Sequence, residues 1–153
     1  MPGYIIQYWD DTEKKYKEVM TDQPLPVTLV DSTTGSPSGT VAPSEERTDT
    51  FTSDDLTNHQ GKGGHFVLDV TATSESPSIT LKIQGKDNVS GQYYDIIASS
   101  AVTEVGTTVL KIHPGLTTTA NSVANDLIPS TWRIVVEHSN EDPIEYSVGY
   151  SIV

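Results

Sequence analysis

The stretch HFVLDVTAT, residues 65–73, decides the fold class. Phe66, Leu68, Val70 and Ala72 fall on one face, His65, Asp69 and Thr71 on the other, and Val67 breaks the pattern. Alternation at period two marks an antiparallel strand with one face in a core and one in water. The pattern recurs in SITLKIQ (residues 78–84), where Ile79, Leu81 and Ile83 alternate with Thr80, Lys82 and Gln84. Trp132, Ile134 and Val136 alternate with Arg133, Val135 and Glu137. Ile144, Tyr146, Val148, Tyr150 and Ile152 alternate with Glu145, Ser147, Gly149 and Ser151. The predicted core is therefore Phe66, Leu68, Val70, Ile79, Leu81, Ile83, Trp132, Ile134, Val136, Tyr146 and Val148.

Turn chemistry falls between these runs. KDNVSGQY, residues 86–93, carries Gly91 where a hairpin needs positive φ, and SNEDP, residues 139–143, precedes the last run. Further strands are expected at 48–52, 93–99 and 107–113, while 117–125 reads as a loop rich in β-branched Thr. Seven or eight strands at this spacing predict an all-β fold over residues 47–153. The expected form is an antiparallel two-sheet β-sandwich, jelly-roll-like, preceded by an extended N-terminal arm.

The arm is residues 1–30. Tyr4 to Trp9 is rich in β-formers, residues 10–15 read as a polar turn, and residues 16–20 can return as the second strand of a hairpin. Pro24 and Pro26 flank Leu25, which excludes a helix and a central strand position and leaves an extended edge segment over 25–30. Residues 31–46, composed of Asp, Ser, Thr, Gly, Pro and Glu with little else, read as a flexible linker. Sixteen extended residues reach roughly 50–55 Å, beyond the width of a small domain.

The totals exclude several function classes. The chain has 153 residues, no cysteine and a net charge of -12. Disulfide and thiolate chemistry are ruled out, and a phosphate backbone is repelled, so direct nucleic-acid binding is not expected. No apolar window spans a bilayer, and Met1–Pro2–Gly3–Tyr4 does not open a signal peptide, so synthesis in a cytoplasm is expected.

No motif carries catalytic chemistry. His59, His65, His113 and His138 lack a metal-ligand spacing and read as separate surface side chains. DNVSG, residues 87–91, lacks the further carboxylates of a calcium loop and reads as a hairpin turn. Adjacent Asp54 and Asp55 are poorly placed as the opposed pair of a glycosidase. GxSxG, P-loop and dinucleotide fingerprints are missing, so the expectation is a protein that is not an enzyme, with no cofactor and no metal. Trp132 falls in the core register. Tyr4, Tyr8 and Trp9 lie apart from it, where aromatics either anchor an interface or sugar contact or pack back on the same domain.

The segments QPLPVTLVD, RTDTFTSDDLTNHQGKGGHFVLDVTA, PSITLKIQGKDNVSGQYYDIIASSAV and STWRIVVEHSNEDPIEYSVGYSIV together resemble small virion proteins of tailed bacteriophages. Such proteins run from a PLPV arm through a Ser/Gly linker into a β-sandwich, and the resemblance covers most of residues 23–153. It implies a multi-copy particle component, with head decoration (cement) as the preferred role. The implied partners are the major capsid protein and other copies of the chain, as a homo-oligomer such as a trimer, without a membrane. The implied location is the virion, after synthesis in the host cytoplasm. No functional residue carries over from the group. The arm itself supplies the expected interface residues: Tyr4, Tyr8, Trp9, Leu25, Val27 and Leu29. β-Augmentation, in which an extended arm joins a neighbour's sheet edge, accounts for such an arm on a tether. The competing reading is a carbohydrate-binding sandwich of a tail or fibre that contacts host glycans.

Overall fold

The computed structural model describes residues 7–10, 12, 15–18, 37–59 and 61–153. These residues contain strands and turns and no helix. The chain divides into two units, Met1–Thr34 and Gly35–Val153.

The first unit contains β1 (Gln7–Asp10) and β2 (Lys15–Glu18), an antiparallel pair with Tyr8 opposite Lys17 and Trp9 opposite Tyr16. The two strands of the expected hairpin therefore pair, and Asp10 and Lys15, expected in the turn between them, lie in the strands themselves. The extended segment over residues 25–30 lies outside the described residues.

The second unit contains β3 (Ser38–Arg47), β4 (Phe51–Thr52), β5 (Leu56–Thr57), β6 (Gly64–Thr73), β7 (Ile79–Lys86), β8 (Tyr93–Ala98), β9 (Gly106–Ile112), β10 (Val123–Ala124), β11 (Thr131–His138) and β12 (Ile144–Ile152). One sheet has the order β10-β9-β6-β12-β3, and the other β4-β11-β7-β8 with β5 also on β11. All pairings are antiparallel except β10 with β9. The two-residue β10 falls in the segment expected to be a loop.

The alternating residues of both sheets share one core. Each of the eleven residues predicted for the core is at most 2% exposed, and Ala42, Leu110, Ile112, Ile128, Ile144 and Ile152 join them. Three aromatic rings bridge the sheets. Trp132 on β11 meets Phe66 of β6 edge-on at 5.5 Å and Tyr150 of β12 at 5.3 Å. Ala72, expected on the buried face, is exposed. Its pairing with β12 is offset by a register shift between Glu145 and Tyr146, and β9 ends its pairing with β6 at Val70.

The linker expected over 31–46 is corrected by β3. Residues 38–46 are strand, so the sheet-forming unit starts well before residue 47, and residues 31–36 lie outside the described residues. Ser, Gly and Pro disfavour a strand only locally. Here the partner β12 supplies a hydrogen-bonded ladder from Ser38 opposite Ser151 to Arg47 opposite Ile144. Arg47 then fastens the irregular half of this pair. Its guanidinium donates to the carbonyls of Tyr146 (2.9 Å), Glu45 (3.0 Å) and Pro43 (2.9 Å) and lies between the rings of Phe51 and Tyr146. The strand expected at 48–52 is reduced to β4 because the turn after Arg47 takes up residues 48–50.

The hairpin at residues 87–91 forms as expected. The Asp87 carboxylate accepts from the amides of Val89 (3.1 Å) and Ser90 (3.2 Å) and from the Ser90 hydroxyl at 2.5 Å, which lowers its pKa. Gly91 supplies the left-handed residue at φ 71° and donates to the Asp87 carbonyl.

Tyr146 gives the core an alkaline limit. Its hydroxyl lies 3.3 Å from His138 Nε2, and burial pushes its pKa from 10.0 up to about 12. In the unfolded chain the phenol ionises near 10, so stability holds below that value. It is then lost as pH rises from 10 to about 12, by roughly 2–3 kcal/mol at the upper end. Urea titrations across this range are expected to show the loss in the parent chain and a much smaller one in Tyr146→Phe. Equal losses in the two would exclude Tyr146 as the source.

Candidate binding surfaces

Two surfaces stand out, the outer face of the second sheet and the open side of the unit between β3 and β4. On the outer face, period two turns Lys82, Gln84 and Lys86 of β7 outward. The register sets Arg133 and Asp95 beside Gln84, and Tyr93 beside Lys86. Asp55, just ahead of β5, closes the group.

Its side chains are bonded to one another. The Lys86 ammonium donates to Asp55 at 2.6 Å, and the Tyr93 hydroxyl donates to the other Asp55 oxygen at 2.6 Å. Arg133 stacks on the Tyr93 ring, its guanidinium carbon 3.4 Å from the centroid, and donates through Nε to Gln84 Oε1 at 2.8 Å. Gln84 in turn donates to Asp95 at 2.6 Å. Lys82 lies 2.6 Å from Glu137 and 3.9 Å from Asp95.

The pairing holds these groups in their charged forms. Asp55 is lowered below 3.8, first by the Lys86 hydrogen bond and then by that of Tyr93. Lys86 is raised by its bond to Asp55, and Lys82 by its bond to Glu137, in each case against desolvation. Three of the chain's nine basic residues meet three carboxylates here, so the face is neutral in a protein of net charge -12. Such a plate can lie against another acidic surface with little repulsion. It is less suited to stacking a sugar, because the guanidinium of Arg133 covers one side of the Tyr93 ring.

The open side is formed differently. β3 ends its sheet, and its outer edge meets no other strand among the described residues. Beside it Val41, Phe51, Leu56 and Tyr150 line a groove and pack half-buried against the core.

The expected interface residues fall on the other unit or outside the description. Tyr8 and Trp9 sit on β1, opposite Lys17 and Tyr16 of β2. Tyr4, Leu25, Val27 and Leu29 lie outside the described residues. Sequence reasoning missed the Asp55–Tyr93–Arg133 group, whose members are far apart in the chain. The only signal was the polar parity of residues 82, 84 and 86, which also describes an ordinary solvated face. Among the described residues no group of three or more His, Asp or Glu side chains is placed to hold a metal. His113 Nδ1 lies 2.7 Å from the Pro114 carbonyl, and burial lowers the pKa of His138. No protein-family model matches the chain, and a search of curated proteins gives no match.

Proposed function

We propose that this chain is a non-enzymatic structural protein of a tailed-phage virion, a head decoration protein that binds the major capsid protein and neighbouring copies through its N-terminal arm. The observation that carries this reading is the edge strand β3, which leaves one side of its sheet without a described partner. An edge of that kind is a hazard in a protein that works alone, and an assembly joint in one that works in many copies. The resemblance of the sequence to phage virion proteins points the same way, and the charge of -12 argues against a nucleic-acid partner.

The strand order supports a jelly roll. β3, β12, β6 and β9 neighbour one another in one sheet and β4, β11, β7 and β8 in the other, with the chain passing repeatedly between them. That order fits the double Greek key found in capsid and lectin domains, and such a fold alone does not choose between decoration and glycan binding. The covered Tyr93 ring favours decoration. Imaging of particles that carry the protein is expected to find it on the head, at junctions between capsomers. Density confined to the tail tip would overturn the decoration reading and return the glycan one.

A further inference from the structure

We propose that the open stretch of β3, residues 38–40, together with the groove beside it, accepts residues 25–30 of a second copy of this chain as an added strand. The inference rests on the arm-mediated assembly above and names the acceptor for it.

Only part of the β3 edge is open. From Pro43 onward the strand carries a residue with no N–H, Arg47 occupies the carbonyls of Pro43 and Glu45, and the pairing with β12 shifts register. A second shift skips Val41, between Ala42 opposite Val148 and Thr40 opposite Gly149, so residues 38–40 give about 10 Å of regular edge, at about 3.4 Å per residue, and the groove continues beside Val41. The six residues of PLPV-type sequence from Leu25 to Val30 span about 20 Å, enough to pair with that edge and continue along the groove.

The parity of the arm fits as well. Along a strand, alternate residues turn both their backbone groups to the same edge and their side chains to the same face. For one of the two strand directions, Leu25, Val27 and Leu29 facing the groove also turn their N–H and C=O groups toward β3. Pro24 and Pro26 then fall on the opposite parity, where a missing N–H removes nothing from the ladder. Pro26 also removes one donor from the new outer edge, which discourages a further strand there. The side chains of Leu25, Val27 and Leu29 meet Val41, Phe51, Leu56 and Tyr150. Asp54 is the one ionisable carboxylate of that lining, so in a chain of charge -12 two copies meet here with little repulsion.

The test uses the full-length chain, which has no cysteine of its own. Thr28→Cys in one copy and Thr40→Cys in another place thiols on the outer face of the joined strands. A short bismaleimide is expected to link the two different chains at least tenfold more than a control pair with Thr107→Cys on β9. No such excess overturns the inference. So does a chain carrying both substitutions that links only within itself, because the arm then returns to its own edge. Light scattering separates this from the reading it rests on. If a Leu25→Ser, Val27→Ser, Leu29→Ser chain self-associates as the parent does, the arm reading falls. If that chain is monomeric while Val41→Lys associates normally, the arm reading stands and the β3 acceptor is wrong.

Discussion

Trp132→Ala is expected to lower stability by about 3–5 kcal/mol, the range for removing a fully buried Trp side chain. Trp132 is 1% exposed and is the largest side chain in the core. It stands on β11 and touches edge-on the rings of Phe66 and Tyr150 from the opposite sheet, so truncation opens a hole at the seam between the sheets. Neither sheet can close that hole without moving against a ladder of backbone hydrogen bonds. The two edge-on ring contacts add about 0.5–1.5 kcal/mol each beyond area burial. One feature of the site tempers the loss, since the indole N–H has no hydrogen-bond partner in its buried position. Trp132→Phe is thus expected to cost clearly less than Trp132→Ala. Urea midpoints at constant denaturant slope measure both, and a loss below about 1 kcal/mol for alanine would show that the seam collapses freely.

Asn58→Asp is expected to destabilise on the order of 3 kcal/mol at pH 7, although it changes only an amide into a carboxylate. Asn58 is a buried polar residue, 9% exposed. Its amide nitrogen donates to the carbonyls of Gly61 (2.7 Å) and Ile128 (2.8 Å), and its oxygen accepts from the Gly61 amide (2.9 Å). These bonds tie the turn after β5 to the long connection before β11. Aspartate keeps the acceptor but sets a negative oxygen against two carbonyls, which raises its pKa in the folded state. The sign of the pH dependence follows. Below the unfolded value of about 3.9 the acid is neutral and can donate one of the lost bonds, so the variant approaches the parent chain. As pH rises through the raised folded value, that recovery is lost. Denaturant midpoints of the two proteins compared at matched pH should diverge upward from about pH 4, and a gap independent of pH would count against a buried carboxylate.

The two variants sit on different levels of legibility. Trp132 was readable as core because the parity of β11 is local, and each strand records its own buried face every second residue. Residues 66, 68, 70, 79, 81 and 83 were readable for the same reason, as was the turn at 87–91. Asn58 was not. Its role depends on Gly61 and on Ile128, 70 positions away, and nothing around residue 58 announces a buried amide. The Asp55–Tyr93–Arg133 group on the outer sheet face was hidden for the same reason.

β3 marks the boundary most clearly. By composition, residues 38–46 have little to hold a strand, and read alone they belong to a linker. What makes them strand is β12, about a hundred residues later, which offers a row of backbone donors and acceptors whatever side chains lie opposite. The amino-acid sequence by itself determined the all-β class, the inward faces of β6, β7, β11 and β12 and the turn that needs Gly91, because those are set by side-chain parity and local backbone sterics. Only the tertiary structure decided the strand order, the length of β3, the neutral plate and the groove at the open edge. Each of these arises where backbone groups or side chains distant in the chain meet, and their energy appears only once the intervening loops have closed.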